Sequence, residues 1–314
     1  MRFTRSTTRN GATALVLAAA MGACRAEGHR TVPDAGTKPG PWVYPVASAR
    51  PVVQPPVVDA GPLATGIPVP LSKVQAEINK DNRQPYAGPA GAVEGTVRVS
   101  GDAAPASKIE IAKDCGDAAN VYGKLFREGP GRVVADAMVG VTEYDGFIPA
   151  KTDVYPVAIR GCAYDRRTIA LTYGQRIEVK NYDAKEPYLP DLVGAKMAAK
   201  LMAIPRGDAV RLYPTEVGQY LLAESMGKKW MRADVFVVRF STHAVTGTDG
   251  RYRIDGIPAG QAKVSAFLPA IGKTVDRKVT VKAGETTKVD FVLPFKIEKE
   301  TAPPAAASGE APIK

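Results

Sequence analysis

The chain has 314 residues, which is enough for about two domains and their tails. Hydrophobic residues make up 45% of it, so a packed core is expected, whereas 26 prolines and 30 glycines predict long stretches outside regular structure. The formal net charge of +10 suits either an acidic partner or a solvated basic surface. Because the lysines and arginines are scattered and accompany no nucleic-acid-binding motif, nucleic acid is not an expected partner.

The first 23 residues have the pattern of an export signal. Three arginines in MRFTRSTTRN precede the apolar run GATALVLAAAMGA, which is too short to span a bilayer. The sequence Met-Gly-Ala-Cys at 21–24 resembles a bacterial lipobox, which implies an acylated Cys24 and a membrane anchor. An ordinary cleaved signal that leaves Cys24 free is the alternative. We therefore expect an exported, lipid-anchored protein of the bacterial cell envelope, with the outer membrane favoured and a periplasmic or surface face.

The other two cysteines predict one disulfide. If Cys24 carries lipid, Cys115 and Cys162 remain as an even pair in an oxidising compartment. Closing the loop between them stabilises the fold by roughly 4 kcal/mol in the chain-entropy model.

Composition divides the rest of the chain into segments. Residues 24–71 are rich in Pro and Val without strand or helix periodicity, which predicts a semi-extended stalk. Residues 72–92 contain a short amphipathic helix and a lead-in, and residues 296–314 predict a disordered tail. From 93 to 295, short β-branched and aromatic runs between turn residues predict an all-β fold of sandwich or barrel type. Only residues 191–204 have a helical pattern there.

Two families resemble parts of this β region. TGTDGRYRIDGIPAG resembles the carboxypeptidase regulatory-like module, a transthyretin-like sandwich of the carbohydrate-binding-like group. GCAY at 161–164, NYD at 181–183 and WMRA at 230–233 resemble motifs of exported plastocyanin-like proteins. The resemblance implies a degenerate cupredoxin-like sandwich over 93–241, followed by the small regulatory-like sandwich over 242–295. GTVRVSG and AMVGVTEY also resemble opening strands of the module, so the cupredoxin-like strands lie either in tandem with it or inserted into it.

The second resemblance also implies a copper site that has lost its ligands. A blue-copper site needs two imidazoles, a thiolate and a weak axial methionine. The family pattern places these ligands at Pro187, Ser225, Lys228 and Met231, so only the methionine remains, and a further histidine of some relatives falls at Leu268. A serine lacks the softness of a thiolate, and a lysine ammonium repels a cation. The sequence therefore predicts no metal and no cofactor.

Other chemistry has little support in the sequence. Of the two histidines, His29 lies in the stalk, and His243 is better explained as a solvated or capping residue than as a ligand. The spacing of Asp183, Glu186 and Asp191 fits no ordered calcium loop, so a solvated loop is favoured. No Gly-x-Ser-x-Gly, phosphate-binding or His-x-x-x-His motif is present, and we expect no enzymatic activity.

The former ligand loops still predict a binding surface. Aromatic faces beside ammonium groups suit sugars, acidic polymers or a protein interface, although packing explains the tryptophan equally well. The predicted surface consists of Tyr182, Tyr188, Lys228, Lys229 and Trp230. We expect a non-catalytic envelope lipoprotein that binds an envelope polymer or glycan, such as acidic polysaccharide or peptidoglycan. The alternatives are a scaffold that binds an envelope protein and, least favoured, a copper-binding electron carrier.

Overall fold

The computed structural model describes residues 67–196 and 200–297, which all belong to one compact unit of the chain. The predicted signal (1–23), Cys24, nearly all of the stalk and nearly all of the tail lie outside the described residues. Two short α-helices, α1 (Leu71–Ile78) and α2 (Gly116–Tyr122), accompany sixteen β-strands in the described part. The all-β prediction is confirmed, and α1 is the helix expected near residue 72. None of the described helices is long and apolar enough to cross a membrane.

Eight strands form the sandwich that we call the terminal sandwich, because they come from both ends of the β region. Its first sheet contains β1 (Ala90–Gly101), β12 (Arg251–Pro258), β15 (Thr286–Lys288) and β16 (Phe291–Phe295). Its second sheet contains β2 (Met138–Thr142), β11 (His243–Val245), β13 (Gly260–Leu268) and β14 (Lys273–Val281). Inward-facing residues of both sheets, such as Val93, Val139, Val264 and Phe291, form one buried core.

The other eight strands form the sandwich that we call the inserted sandwich. One sheet contains β3 (Val154–Arg160), β4 (Ala163–Tyr164), β6 (Arg176–Asn181) and β8 (Val210–Leu212). The other contains β5 (Thr168–Thr172), β7 (Pro190–Val193), β9 (Gly218–Glu224) and β10 (Arg232–Val238). Ile159, Ile177, Leu222 and Val235 alternate inward from the two sheets and share a core with buried residues of both helices.

Strand pairing decides between the tandem and inserted arrangements. Strand β1 pairs antiparallel with β12, with Val93 opposite Ile254, and β2 pairs antiparallel with β13, with Val141 opposite Val264. Strands β3–β10 therefore lie between β2 and β11 of a single sandwich. The division at 241/242 does not follow this pairing, because 93–142 belongs with 243–295 and the inserted strands span only 154–238.

The helix predicted from the pattern at 191–204 is not formed by the described residues of this range. Its first residues form the edge strand β7, paired with β9, because the apolar side of this strand faces the core of the inserted sandwich. Further along, Ala203 makes a β-bridge to Tyr188 instead of continuing a helix.

A buried ion pair joins the two sandwiches. The Arg127 guanidinium donates two hydrogen bonds of 2.6 Å to the Asp136 carboxylate, and the two side chains are 15% and 6% exposed. The same carboxylate accepts the backbone N–H of Arg167, which directly precedes β5. The Thr246 hydroxyl supports the adjoining chain by donating to the Val134 carbonyl and accepting the Ala137 N–H. Asp136 thus links the segment before β2 to the inserted sandwich.

The predicted disulfide between Cys115 and Cys162 is confirmed, with Cα atoms 5.2 Å apart. It ties the beginning of α2 to the turn between β3 and β4. Because it closes a loop with a sequence separation of 47, we assign it roughly 4 kcal/mol of stabilisation.

We predict that Arg127→Met lowers the free energy of unfolding by about 3 kcal/mol, because it leaves the buried Asp136 carboxylate without its cation. Arg83→Met is the matched control, since the Arg83–Asp145 pair is solvent-exposed and such pairs contribute at most about 1 kcal/mol. Urea unfolding of both variants measures the difference. Equal small losses for the two variants would show that the buried pair does not couple the sandwiches.

Candidate functional site

The four positions implied for copper ligands lie together at one end of the inserted sandwich. The two chain segments that carry them, 186–189 and 224–231, are joined by a 3.0 Å hydrogen bond from the Ser225 N–H to the Leu189 carbonyl. Within the second segment, the N–H of the fully buried Met231 donates to the Lys228 carbonyl. Pro187 is half-buried and lies beside Tyr188, above whose ring the Lys228 ammonium is placed.

The residues at these positions do not fit a copper ion. The Lys228 ammonium lies 3.6 Å from a Glu186 carboxylate oxygen and 5.7 Å from the centre of the Tyr188 ring, so a fixed cation already occupies this end of the sandwich. Ser225 is exposed and offers only a hydroxyl, and Leu268 is buried in the terminal sandwich. The described residues contain no group of three or more His, Cys, Asp or Glu arranged to hold a metal.

A buried carboxylate organises these loops without a metal. Glu224 is 7% exposed and accepts the N–H groups of Leu189 and Met226 on one oxygen and that of Lys228 on the other, at 2.9 to 3.1 Å. Both former ligand segments are therefore held by one side chain. The sequence analysis missed this residue, although a glutamate at an inward position of the alternating strand GQYLLAE is a signal that could have found it.

The three acidic residues considered as a calcium site each bind other groups of the chain. The Asp183 carboxylate accepts the N–H groups of Gly161 and Cys162 and the hydroxyl of Tyr188, the last at 2.6 Å. Burial and the neighbouring Asp183 raise the pKa of the Tyr188 phenol, so it stays protonated and donates. The other two acids pair with lysines, in the pairs Glu186–Lys228 and Asp191–Lys200.

The surface predicted from the former ligand loops is not assembled as one face. Tyr188 is fully buried, which contradicts its predicted place on the surface, because its hydroxyl is drawn inward to the Asp183 carboxylate. Tyr182 is 43% exposed and stacks under the Arg160 guanidinium at 4.0 Å. Trp230 is half-buried, and its indole N–H donates to the Cys162 carbonyl at 3.1 Å. Lys229 is exposed and Lys228 is partly covered.

Trp230 instead lines a groove of about 460 Å³ where the two sandwiches meet, which we call the junction groove. One wall is the 105–109 loop together with the chain after α2, and the other is the outer face of β9 and β10. Its aromatic residues are Tyr122 and Trp230, and its cationic residues are Lys108, Lys124, Arg167 and Arg232.

The cations of the junction groove make no close ion pairs. None of the four forms an ion pair with another residue in the described part of the chain. Arg167 is held in place because its guanidinium donates to the Lys124 carbonyl at 3.0 Å and lies 5.9 Å from the Tyr122 ring centre. The acidic residue of the lining is Asp234. Burial raises the pKa of its carboxyl, and the charge of the nearby Arg167 opposes that effect. Four cations against this one carboxyl leave the groove with an excess of positive charge beside aromatic faces.

His243 lies at the start of β11 and packs between the sandwiches. Its Nε2 is 3.2 Å from the Thr172 hydroxyl, and its ring meets the edge of Phe240 with centres 6.2 Å apart. Burial lowers the pKa of His243 to about 4, so the imidazole is neutral near pH 7. These contacts give His243 a packing role at the junction.

The comparisons with known proteins agree with the first resemblance over part of the chain. A family model described as the carboxypeptidase regulatory-like domain matches residues 224–294. The match covers β11–β16 of the terminal sandwich, but it begins at the last residue of β9 and includes β10 of the inserted sandwich. No curated protein matches the sequence significantly.

Among solved structures, the chain is weakly similar to copper proteins. A reduced amicyanin variant matches at 20% identity, covering 32% of this chain and 99% of that one, with a TM-score of 0.24. Another amicyanin variant matches at 22% identity over 27% of this chain and 82% of that one, with the same TM-score. The Cu-containing nitrite reductase from Thermus scotoductus SA-01 matches at 14% identity, covering 31% of this chain and 24% of that one, with a TM-score of 0.24.

We predict that His243 makes stability depend on pH. Because its pKa is about 4 in the folded chain and 6.5 ordinarily, the unfolded chain takes up a proton first as the pH falls. Stability is therefore lost between pH 6.5 and pH 4, by at most about 3 kcal/mol. The free energy of unfolding of the wild type, minus that of His243→Asn, should fall by this amount over that range in denaturant titrations. A difference that stays constant with pH would contradict a neutral, buried imidazole.

Proposed function

We propose that this protein is a non-catalytic cell-envelope protein that binds an acidic polysaccharide in the junction groove. One observation carries the proposal: four cations without ion-pair partners converge with Trp230 and Tyr122 on one groove. Charged side chains on a protein surface are commonly paired or dispersed, so an unpaired cluster beside aromatic faces favours an anionic ligand with flat apolar surfaces. Acidic sugars combine these two properties.

The chemistry of the lining supports sugar carboxylates. Arg167 and Arg232 provide planar guanidinium groups, which bind carboxylates through paired hydrogen bonds. The half-buried indole of Trp230 offers a rigid face against which the C–H side of a sugar ring packs. The groove volume of about 460 Å³ falls within the range of roughly 300 to 1,000 Å³ that is typical of small-ligand sites.

The proposal also includes the N-terminal part of the chain, which would attach the protein to a membrane. An acylated Cys24 would hold the protein at a membrane of the envelope, and the Pro-rich stalk would carry the two sandwiches away from it. In that position the junction groove faces envelope polymers. Of the two segments that carry the predicted copper-ligand positions, only Trp230 takes part in the proposed binding.

We predict that the full-length protein binds polygalacturonate, a soluble acidic polysaccharide, and that the affinity falls as the salt concentration rises. Lys124→Glu should weaken binding at low salt by roughly ten-fold, because reversing one groove charge removes about 1.4 kcal/mol of attraction. Lys278→Glu is the matched control, since it makes the same charge change at an exposed position of β14 away from the groove. Isothermal titration calorimetry across a salt series measures all three proteins.

Equal losses for Lys124→Glu and Lys278→Glu would show that net charge, and not the groove, attracts the polymer. No binding at low salt would overturn the proposal, and cross-linking in whole envelopes would then test the scaffold role with a discrete protein partner.

A further inference from the structure

A second groove adjoins the junction groove. Its volume is about 610 Å³, and both grooves are lined by Pro105 and Leu125, which form the wall between them. It runs along the end of the terminal sandwich, from the turn after β13 to the residues that follow β16. We call it the apolar groove.

The lining of this groove differs from that of the first. It consists mainly of hydrocarbon side chains, including Ile271, Phe295 and Ile297, with Lys273 and Lys296 as its charged members. The Ile297 residue is 52% exposed, and Phe295 is held in place by an edge-on contact with Phe126 at 5.2 Å. The described structure leaves this hydrocarbon surface open to solvent.

We propose that the two grooves together bind an amphiphilic anion, namely an acidic sugar head group joined to a hydrocarbon chain. The sugar carboxylate lies among the cations of the junction groove, and the chain crosses Pro105 and Leu125 into the apolar groove. This inference rests on the proposed function and narrows it, because the protein then recognises the lipid-linked end of an acidic polysaccharide.

Neither half of the ligand explains both grooves. A fully soluble polysaccharide has no group that gains from contact with Ile271 and Ile297, since its surface is covered with hydroxyls. A simple fatty acid has no ring, so it leaves Trp230 of the junction groove without a contact. The wall that the two grooves share, formed by Pro105 and Leu125, is apolar. The lining therefore changes from cationic to hydrocarbon where the two grooves meet.

Three small probes test this with the full-length protein. Octyl glucuronide carries both the acidic sugar and a chain, sodium glucuronate carries only the sugar, and octyl glucoside carries the chain on a neutral sugar. Calorimetric titrations are made below the micelle-forming concentration of each amphiphile. Octyl glucuronide should bind at least about ten-fold more tightly than glucuronate, because burying about two methylene groups is enough for that gain. It should also bind at least about ten-fold more tightly than octyl glucoside, because one hydrogen-bonded carboxylate contributes about 1.5 kcal/mol or more.

Two neutral substitutions separate the grooves. Ile297→Gln should reduce the affinity for octyl glucuronide toward that for glucuronate and leave polygalacturonate binding unchanged. Val292→Gln is the matched control, because Val292 is similarly exposed, at 49%, and lies on β16 outside both linings. It should leave both affinities unchanged.

The outcomes distinguish this inference from the proposed function. If polygalacturonate binds but octyl glucuronide binds no better than glucuronate, the amphiphile inference fails and the polymer site stands. If octyl glucoside binds as well as octyl glucuronide, the apolar groove is a general detergent site and the inference also fails. If neither acidic probe nor polygalacturonate binds, the proposed function fails with it.

Discussion

The buried pair of Arg127 and Asp136 is the interaction on which the junction depends. The eight strands inserted between β2 and β11 are tied to the rest of the chain by the disulfide of α2 and by packing at the junction, as well as by the connecting segments. The Asp136 carboxylate crosses this boundary, because it accepts from Arg127 on one side and from the Arg167 backbone on the other. Arg167 in turn reaches the Lys124 carbonyl, so the wall of the junction groove is built outward from that carboxylate. Burying such a charge is costly unless all its partners are present, which makes the geometry of the junction specific.

The end of the inserted sandwich where the sequence predicted emptied copper-ligand positions is held together by the chain's own side chains. Glu224 holds the two ligand segments through three backbone N–H groups, and the Lys228 ammonium is placed against Glu186. Met231 is part of the core. Trp230 is fixed because its indole N–H donates to the Cys162 carbonyl, and its ring lines the junction groove.

Local patterns predicted the β class, the short helix α1 and the disulfide, because alternation, helical spacing and an even cysteine count are properties of short segments or of composition.

The insertion could not be predicted from local patterns. The partners of β1 lie about 160 residues away, and tandem and inserted orders of the strands have the same local pattern. Tyr188 was expected at the surface because it lies in a predicted ligand loop, and only the fold brings the Asp183 carboxylate to its hydroxyl. The cations of the junction groove were unremarkable in sequence, since Lys108, Lys124, Arg167 and Arg232 come from separate elements.

The central claim is that the junction groove, and not the former ligand loops, is the binding site. The most direct test is a crystal structure of the protein grown with trigalacturonate. The account predicts sugar density between the 105–109 loop and Trp230, with carboxylates near Arg167 and Arg232. Density at Tyr182 and Lys229, with an empty junction groove, would contradict it.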